Sequence, residues 1–356
     1  MKITGTRSVL AAAGIVTGFA AFILALAGNP GNMGFCIACF LRDIAGSLSL
    51  HGSETVQYMR PEIIGIILGS FVISLLTGEF SPRSGSSPLL RFLIGMCVSI
   101  GALVFLGCPL RMVLRLSAGD ANAIAGLAGF ILGIAAGCFV LNQGFSLGPA
   151  RETNRLEGSG ISFVAVLFLL LLVLAPSLLK FSTSGPGSMR APVILSLAMG
   201  LVVGAFAQRS RLCFAGGVRD LFLLRDSTLI TGFIAVFVSS LVFNIASGSF
   251  HFGFENQPIA HTDQLFNLLG MFIVGFGSVL LGGCPLRQLV LAGQGSSDSA
   301  VTVLGLIIGG AVAHNFNLAS STAGATAGGK AASVIIIVFL AFISFTVIAA
   351  KRRNEK

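Results

Sequence analysis

Ten apolar stretches, most close to the roughly 20 residues that a helix needs to cross a bilayer core, fall at about 8–27, 61–80, 89–106, 122–141, 160–180, 191–207, 228–247, 265–281, 299–315 and 330–350. Lipid offers no hydrogen bonds, so such runs must satisfy every backbone N–H and C=O internally, and helices do this within one segment. The spacing therefore predicts an all-α polytopic membrane protein of about ten transmembrane helices. Only 10% of the residues are charged, against about a quarter in a soluble domain, so water is not the solvent for most of this surface. The 46 glycines suit helices that approach closely, as in the small-residue runs 126–130 and 133–137. With no Trp and Tyr58 as the sole Tyr, an aromatic belt has to come from Phe.

The formal charge is +9, but the 22 Lys and Arg are scattered between apolar spans, and a nucleic-acid partner would call for one basic stripe. Membrane topology accounts for them instead. With the N-terminus in the cytoplasm, Arg83, Arg91, Arg151, Arg155, Arg209, Arg211, Arg219, Arg225, Arg287 and the tail Lys351-Arg352-Arg353 all fall inside, as the positive-inside rule requires. The opposite segments 248–264 and 316–329 lack Lys and Arg. Both termini are thus expected to be cytoplasmic. Lys2 and Arg7 ahead of an apolar run resemble a cleavable signal peptide, but that run is too long for one and has a counterpart later in the chain. It is read as a transmembrane helix. Seven cysteines, an odd number, do not form a secreted disulfide framework.

The chain repeats itself. Cys36-Ile37-Ala38-Cys39-Phe40-Leu41-Arg42-Asp43 aligns with Cys213-Phe214-Ala215-Gly216-Gly217-Val218-Arg219-Asp220, and Gly107-Cys108-Pro109-Leu110-Arg111 with Gly283-Cys284-Pro285-Leu286-Arg287. The two motifs are 72 residues apart in one copy and 71 in the other. Residues 1–181, with a cytoplasmic linker at 142–160, form a first transmembrane repeat and 182–356 a second. Five long spans per copy invert the second relative to the first, a common transporter plan with the substrate site at the repeat interface.

The Gly-Cys-Pro-Leu-Arg motif marks where one apolar helix stops and a short one starts. Proline suits a first helical position, which places Cys108 and Cys284 at the N-termini of re-entrant half-helices, where free N–H groups and the helix dipole favour an anion. Arg111 and Arg287 follow one turn later. The structural alternative is a proline kink with a packed cysteine. Cys36 and Cys39 form a C-x-x-C pair that reads as a redox pair or half a metal site; no second C-x-x-C exists and His51 lies outside the usual spacing, so no metal is expected. Arg42-Asp43 and Arg219-Asp220 read as local ion pairs or as substrate contacts. Cys97 and Cys138, inside continuous helical runs, read as core. His314 and Glu79 read as isolated interfacial polar residues. The absence of a G-x-x-x-x-G-K-[ST] motif argues against direct ATP coupling in this chain, and no cofactor is expected.

At these residues the chain resembles the YeeE/YedE family of membrane proteins. The stretch from Gly31 to Gly46, including Cys36, Cys39, Arg42 and Asp43, with His51 beyond it, is similar to the selenium-associated branch. The resemblance implies an hourglass-shaped protein of a bacterial inner membrane in which thiosulfate passes along cysteines through weak S–H contacts, those roles falling on Cys36, Cys108 and Cys284 with Cys213 as the repeat mate of Cys36. The reading is a transporter, not an enzyme. It takes up a small, anionic selenium- or sulfur-containing solute, selenium-linked or else thiosulfate, through a pathway contacted by Cys36, Cys39, Cys108, Cys213, Cys284, Arg42, Arg111 and Arg287. The alternatives are a membrane thiol-transferase forming a persulfide or selenyl-sulfide on Cys36 and Cys39, and an anchor for a soluble sulfur or selenium carrier protein docking at 142–160.

Overall fold

A computed structural model describes residues 6–354; Lys2, part of the signal-like N-terminus, lies outside them. Fourteen helices follow one another among the described residues: α1 (Arg7–Leu26), α2 (Ile37–Ser47), α3 (Pro61–Leu76), α4 (Pro88–Phe105), α5 (Pro109–Ser117), α6 (Asn122–Asn142), α7 (Arg155–Leu174), α8 (Val193–Ser210), α9 (Phe214–Leu223), α10 (Ile230–Ala246), α11 (Gln264–Leu280), α12 (Pro285–Gly293), α13 (Ser297–Asn315) and α14 (Ala327–Asn354). The only strands described are the two-residue pair Arg83–Ser84 and Arg151–Glu152. The protein is an all-α polytopic membrane protein: eight helical stretches are long and apolar enough to cross a bilayer, and Pro61–Leu76 and Ile230–Ala246 are shorter apolar helices.

Each of the ten expected spans is a helix, and the differences lie at the ends. α7 starts at Arg155 because the Asn154 side chain accepts the Leu156 N–H and caps it. It stops at Leu174, before Pro176 opens a single 3-10 turn; proline removes a backbone donor and clashes with the preceding turn. Four short helices, α2, α5, α9 and α12, are the re-entrant pieces. The two expected Cys-Pro starts, at Cys108 and Cys284, open α5 and α12, and Cys36 and Cys213 cap α2 and α9.

The packing has the pattern of a two-fold exchange. If α1–α7 are matched in order with α8–α14, the contact of α3 with α8 maps onto that of α10 with α1, and α6 with α11 maps onto α13 with α4. The matched elements run in opposite directions. The Ala191 N–H, just ahead of α8, donates to the Asn29 side chain just after α1 (2.9 Å). At the other end, Arg209 in the last turn of α8 pairs with Glu79 beyond α3 (2.8 Å), and Arg7 at the start of α1 reaches Ser227 ahead of α10 (2.8 Å). Arg7 and Arg352, which bonds Gln143, therefore lie on one face with Arg83, Arg151, Arg155, Arg211 and Arg225.

Glycine sets how closely these helices approach. A Cβ on Gly129 would sit 2.0 Å from the Leu268 carbonyl oxygen and one on Gly133 2.1 Å from that of Phe272. The small-residue run of α6 thus seats directly on the backbone of α11. In lipid, where apolar contact with tails is as good as contact with another helix, such van der Waals packing drives association.

Candidate functional site

Cys36, Cys108, Cys213 and Cys284 are the N-cap residues of α2, α5, α9 and α12. Each repeat brings two of these N-termini together. In the first, the Cys39 N–H donates to Cys36 Sγ (3.4 Å) and the Ile37 N–H to Cys108 Sγ (3.2 Å), so the first turn of α2 addresses both thiols. In the second, the Gly216 N–H donates to Cys213 Sγ (3.2 Å) and Cys213 Sγ lies 3.9 Å from Cys284 Sγ. All four thiols are buried. Two helix N-termini per pair concentrate unpaired N–H groups and positive dipole ends at buried sulfur, an arrangement that attracts an anion. The first pair follows the loop after α1, on the side of Ala191, and the second follows α8, on the side of Arg209. The half-helices of the two copies touch, α2 against α12 and α5 against α9.

The turn before each Cys-Pro is left-handed. In the second copy Gly282 supplies it with φ 80°. In the first the equivalent residue is Leu106 with φ 63°, a conformation that costs a residue with a Cβ about 1–2 kcal/mol. Arg111 clasps that turn: its guanidinium donates to the Leu106 carbonyl, to Asn32 O (3.3 Å) and to the carbonyls of Pro258 and Ile259 (3.2 Å each). It fastens the Cys108 turn to the loop ahead of α11. Arg287, its repeat mate, is held differently. Gln288 takes over the clasp by donating to Leu281 O and Gly283 O, and Arg287 Nη1 is buried with no hydrogen-bond partner among the described residues.

Arg42 bonds Asp43 through Nε (3.0 Å) and Nη2 (2.6 Å), so the expected ion pair forms; Arg219 and Asp220 also pair (2.8 Å). Cys39 is in the first turn of α2, one turn before Asp43. Cys97 and Cys138 lie within α4 and α6, buried in the apolar core. Glu79 is not isolated, since it holds both Arg209 and the Gln208 amide, and His314 stacks on His51 with ring centroids 4.9 Å apart. His51 Nδ1 accepts the Ser53 N–H, which leaves Nε2 protonated to donate to Arg42 O (3.1 Å). His261 repeats this brace with Asp263 N–H and Val104 O.

Sequence reasoning passed over Arg60, Arg115 and Glu62, all fully buried. Arg60 closes the other side of Asp43 (2.7 Å), donates to Pro186 O and Met189 O, and lies over the Phe40 ring. Arg115 pairs with Asp120 (2.6 Å) and bonds Phe105 O. Glu62 accepts from Asn29 (2.7 Å) and Ser196 (3.2 Å), joining α3 to α8. A charge inside or bordering an apolar run is the available signal for all three, because such residues are rarely left unpaired in a membrane.

A family profile described as sulphur transport matches residues 209–356. The thiosulfate transporter TsuA of Escherichia coli (strain K12) is 28% identical over 122 residues, 34% of this chain and 34% of the relative. A protein of the same name from Spirochaeta thermophila is 30% identical over 99 residues, 28% of this chain and 29% of the relative. The matched stretches thus span about a third of each relative's length. The profile takes in Cys213, Arg219, Cys284 and Arg287, the second-copy motifs that the first copy mirrors, so over residues 209–356 the chain is similar to the sulphur-transport family.

Proposed function

We propose that this chain carries a small sulfur oxyanion across a bacterial inner membrane, past two cysteine pairs at half-helix N-termini. The observation that carries this reading is the repeat-related placement of Cys36 with Cys108 and Cys213 with Cys284, each pair addressed by backbone N–H groups. Thiosulfate, the solute in the relatives' names, suits such donors: its charged oxygens favour helix N-termini, and protonated thiols offer weak S–H contacts that release as readily as they bind. A selenium oxyanion of similar size and charge would satisfy the same groups, and it belongs in the same assay. Residues 1–181 and 182–356 are the two copies on this reading. The arginine-rich face is cytoplasmic, with both termini on that side. Cys39 and Arg42 support the first pair from α2, Arg111 by fixing the Cys108 turn, and Arg287 from beside the second pair.

The test is accumulation of labelled thiosulfate and selenite in cells expressing the chain, beside Cys108→Ala and Cys284→Ala at equal membrane levels. Uptake of one label that either substitution reduces to background is the expected result. No uptake of any label by the unsubstituted chain refutes the proposal.

The proximity of Cys36 and Cys39 in one helical turn favours a second reading, a membrane thiol-transferase. It requires a substrate sulfur or selenium atom covalently trapped on Cys36 after non-reducing denaturation, and a free thiol there excludes it.

A further inference from the structure

A cavity of about 390 Å³ opens among the loops of the arginine-rich face, lined by Arg83, Arg91, Arg211 and Arg287 with Asp298 as the single carboxylate. Asp298 is already engaged. It accepts the Gly85 N–H (3.0 Å), the Ser86 N–H and the Ser86 hydroxyl (2.6 Å), with Arg91 3.9 Å away. Arg91 is anchored in turn on Ser86, through O (3.0 Å) and Oγ (2.7 Å). Glu79, near the mouth, is held by Arg209 and Gln208. Three guanidinium groups in the lining therefore lack a carboxylate: Arg83, whose Nε donates only to Ser81 Oγ (2.8 Å); Arg211, which makes no ion pair or side-chain hydrogen bond among the described residues; and Arg287, whose buried Nη1 is unpartnered.

Three like charges around one cavity repel each other, and a buried charged donor without a partner is costly. Both terms are offset if an anion sits between them. We infer that this vestibule binds a small divalent oxyanion at a station distinct from the cysteine pairs. Guanidinium forks recognise oxyanions through paired N–H groups, and the Gln294 amide and the Ser299 hydroxyl add uncharged donors to the wall. Arg287 occupies the inner end, in the first turn of α12, one turn past its N-cap Cys284. The station thus abuts the second thiol pair. It collects the anion between that pair and the water on the arginine-rich face. Its identification with a sulfur oxyanion rests on the transport reading above.

The experiment is equilibrium binding of radiolabelled thiosulfate to the purified full chain in nanodiscs of zwitterionic lipid at low ionic strength. Arg83→Gln with Arg211→Gln alters two exposed side chains, so folding is not at stake. Arg287→Gln and Arg287→Lys probe the inner end, with elution as a folded monodisperse species as the check. A charged hydrogen bond lost at such a site weakens binding about tenfold or more, so that loss is expected in the double variant and in Arg287→Gln, with Arg287→Lys recovering most of the affinity. Cys108→Ala, in the other thiol pair, keeps the arginine-dependent component. Thiosulfate affinity unchanged by the arginine substitutions overturns the vestibule site even where uptake by cells persists. Loss of binding on adding phosphatidylglycerol to nanodiscs of the unsubstituted chain assigns the arginines to a lipid headgroup and overturns it as well. Absence of both binding and uptake refutes the site together with the transport reading.

Discussion

Replacing Asp43 by Asn and its repeat mate Asp220 by Asn tests whether burial, and not the shared Arg-Asp motif, decides the worth of these ion pairs. Asp43 is fully buried between two arginines, Arg42 at 2.6 Å and Arg60 at 2.7 Å, both themselves buried. Neutralising it leaves two guanidinium groups inside the protein without their counter-ion, and breaking a buried pair in this way costs about 3–5 kcal/mol. Asp220 faces one arginine that is 30% exposed. Water screens that pair, and its loss costs about 0–1 kcal/mol. Thermal unfolding in detergent, followed with a dye that fluoresces on reacting with thiols, reads the difference directly because all seven cysteines start buried. For a chain of this length the midpoint moves by roughly 1–2 °C per kcal/mol, so Asp43→Asn should lower it by about 5 °C and Asp220→Asn by under about 2 °C. The early signal in Asp43→Asn should come from Cys36 and Cys39, which lie on the helix that Asp43 anchors. Equal shifts for the two variants, or a larger one for Asp220→Asn, would refute the burial argument.

Gly34→Ala places a Cβ 1.8 Å from the Ala21 carbonyl oxygen of α1; overpacking of this kind costs about 1–3 kcal/mol or more, and the folded yield from the membrane should fall, as size-exclusion profiles would show. Cys97→Ala and Cys138→Ala, in contrast, remove buried sulfur from helix interiors away from the half-helix starts, so labelled thiosulfate uptake per folded molecule should stay within about twofold of the unsubstituted chain; a loss as deep as that of Cys108→Ala would mean that the pathway is drawn too narrowly. Glu62→Ala strips an acceptor from Asn29 and Ser196 and should destabilise by about 1–3 kcal/mol, whereas Glu62→Gln keeps an acceptor oxygen and should lose less in the same unfolding assay.

The spans were readable because a bilayer imposes one length and one kind of surface on every crossing segment. The ends were less so. The apolar reading carried the second span to residue 80, but α3 closes at Leu76 so that Glu79 can turn to Arg209 of α8, a partner some 130 residues away. The re-entrant helices were visible through Cys-Pro at 108 and 284 and through the C-x-A-x-x-x-R-D repeat, since an N-terminus is a local event set by a cap and a proline. Equivalence of the repeats was easier to see than their divergence. Arg111 and Arg287 occupy the same motif position, yet one clasps four carbonyls and the other is left facing a cavity. The reason is that Leu106 needs a clasp where Gly282 does not, and that Gln288 provides one in the second copy.

Local periodicity, proline and the cysteine motifs were enough to read a chain that crosses a membrane many times and carries its cysteine motifs twice, because those features act over a single helix turn or a single bilayer thickness. Which charges are buried, which thiols pair and where uncompensated arginines gather were settled only in three dimensions. Burial and counter-ions come from segments distant in sequence, as when Asp43 meets Arg60 and Arg60 in turn donates to the carbonyls of Pro186 and Met189. The electrostatic worth of a residue in a membrane depends on those neighbours far more than on its own identity.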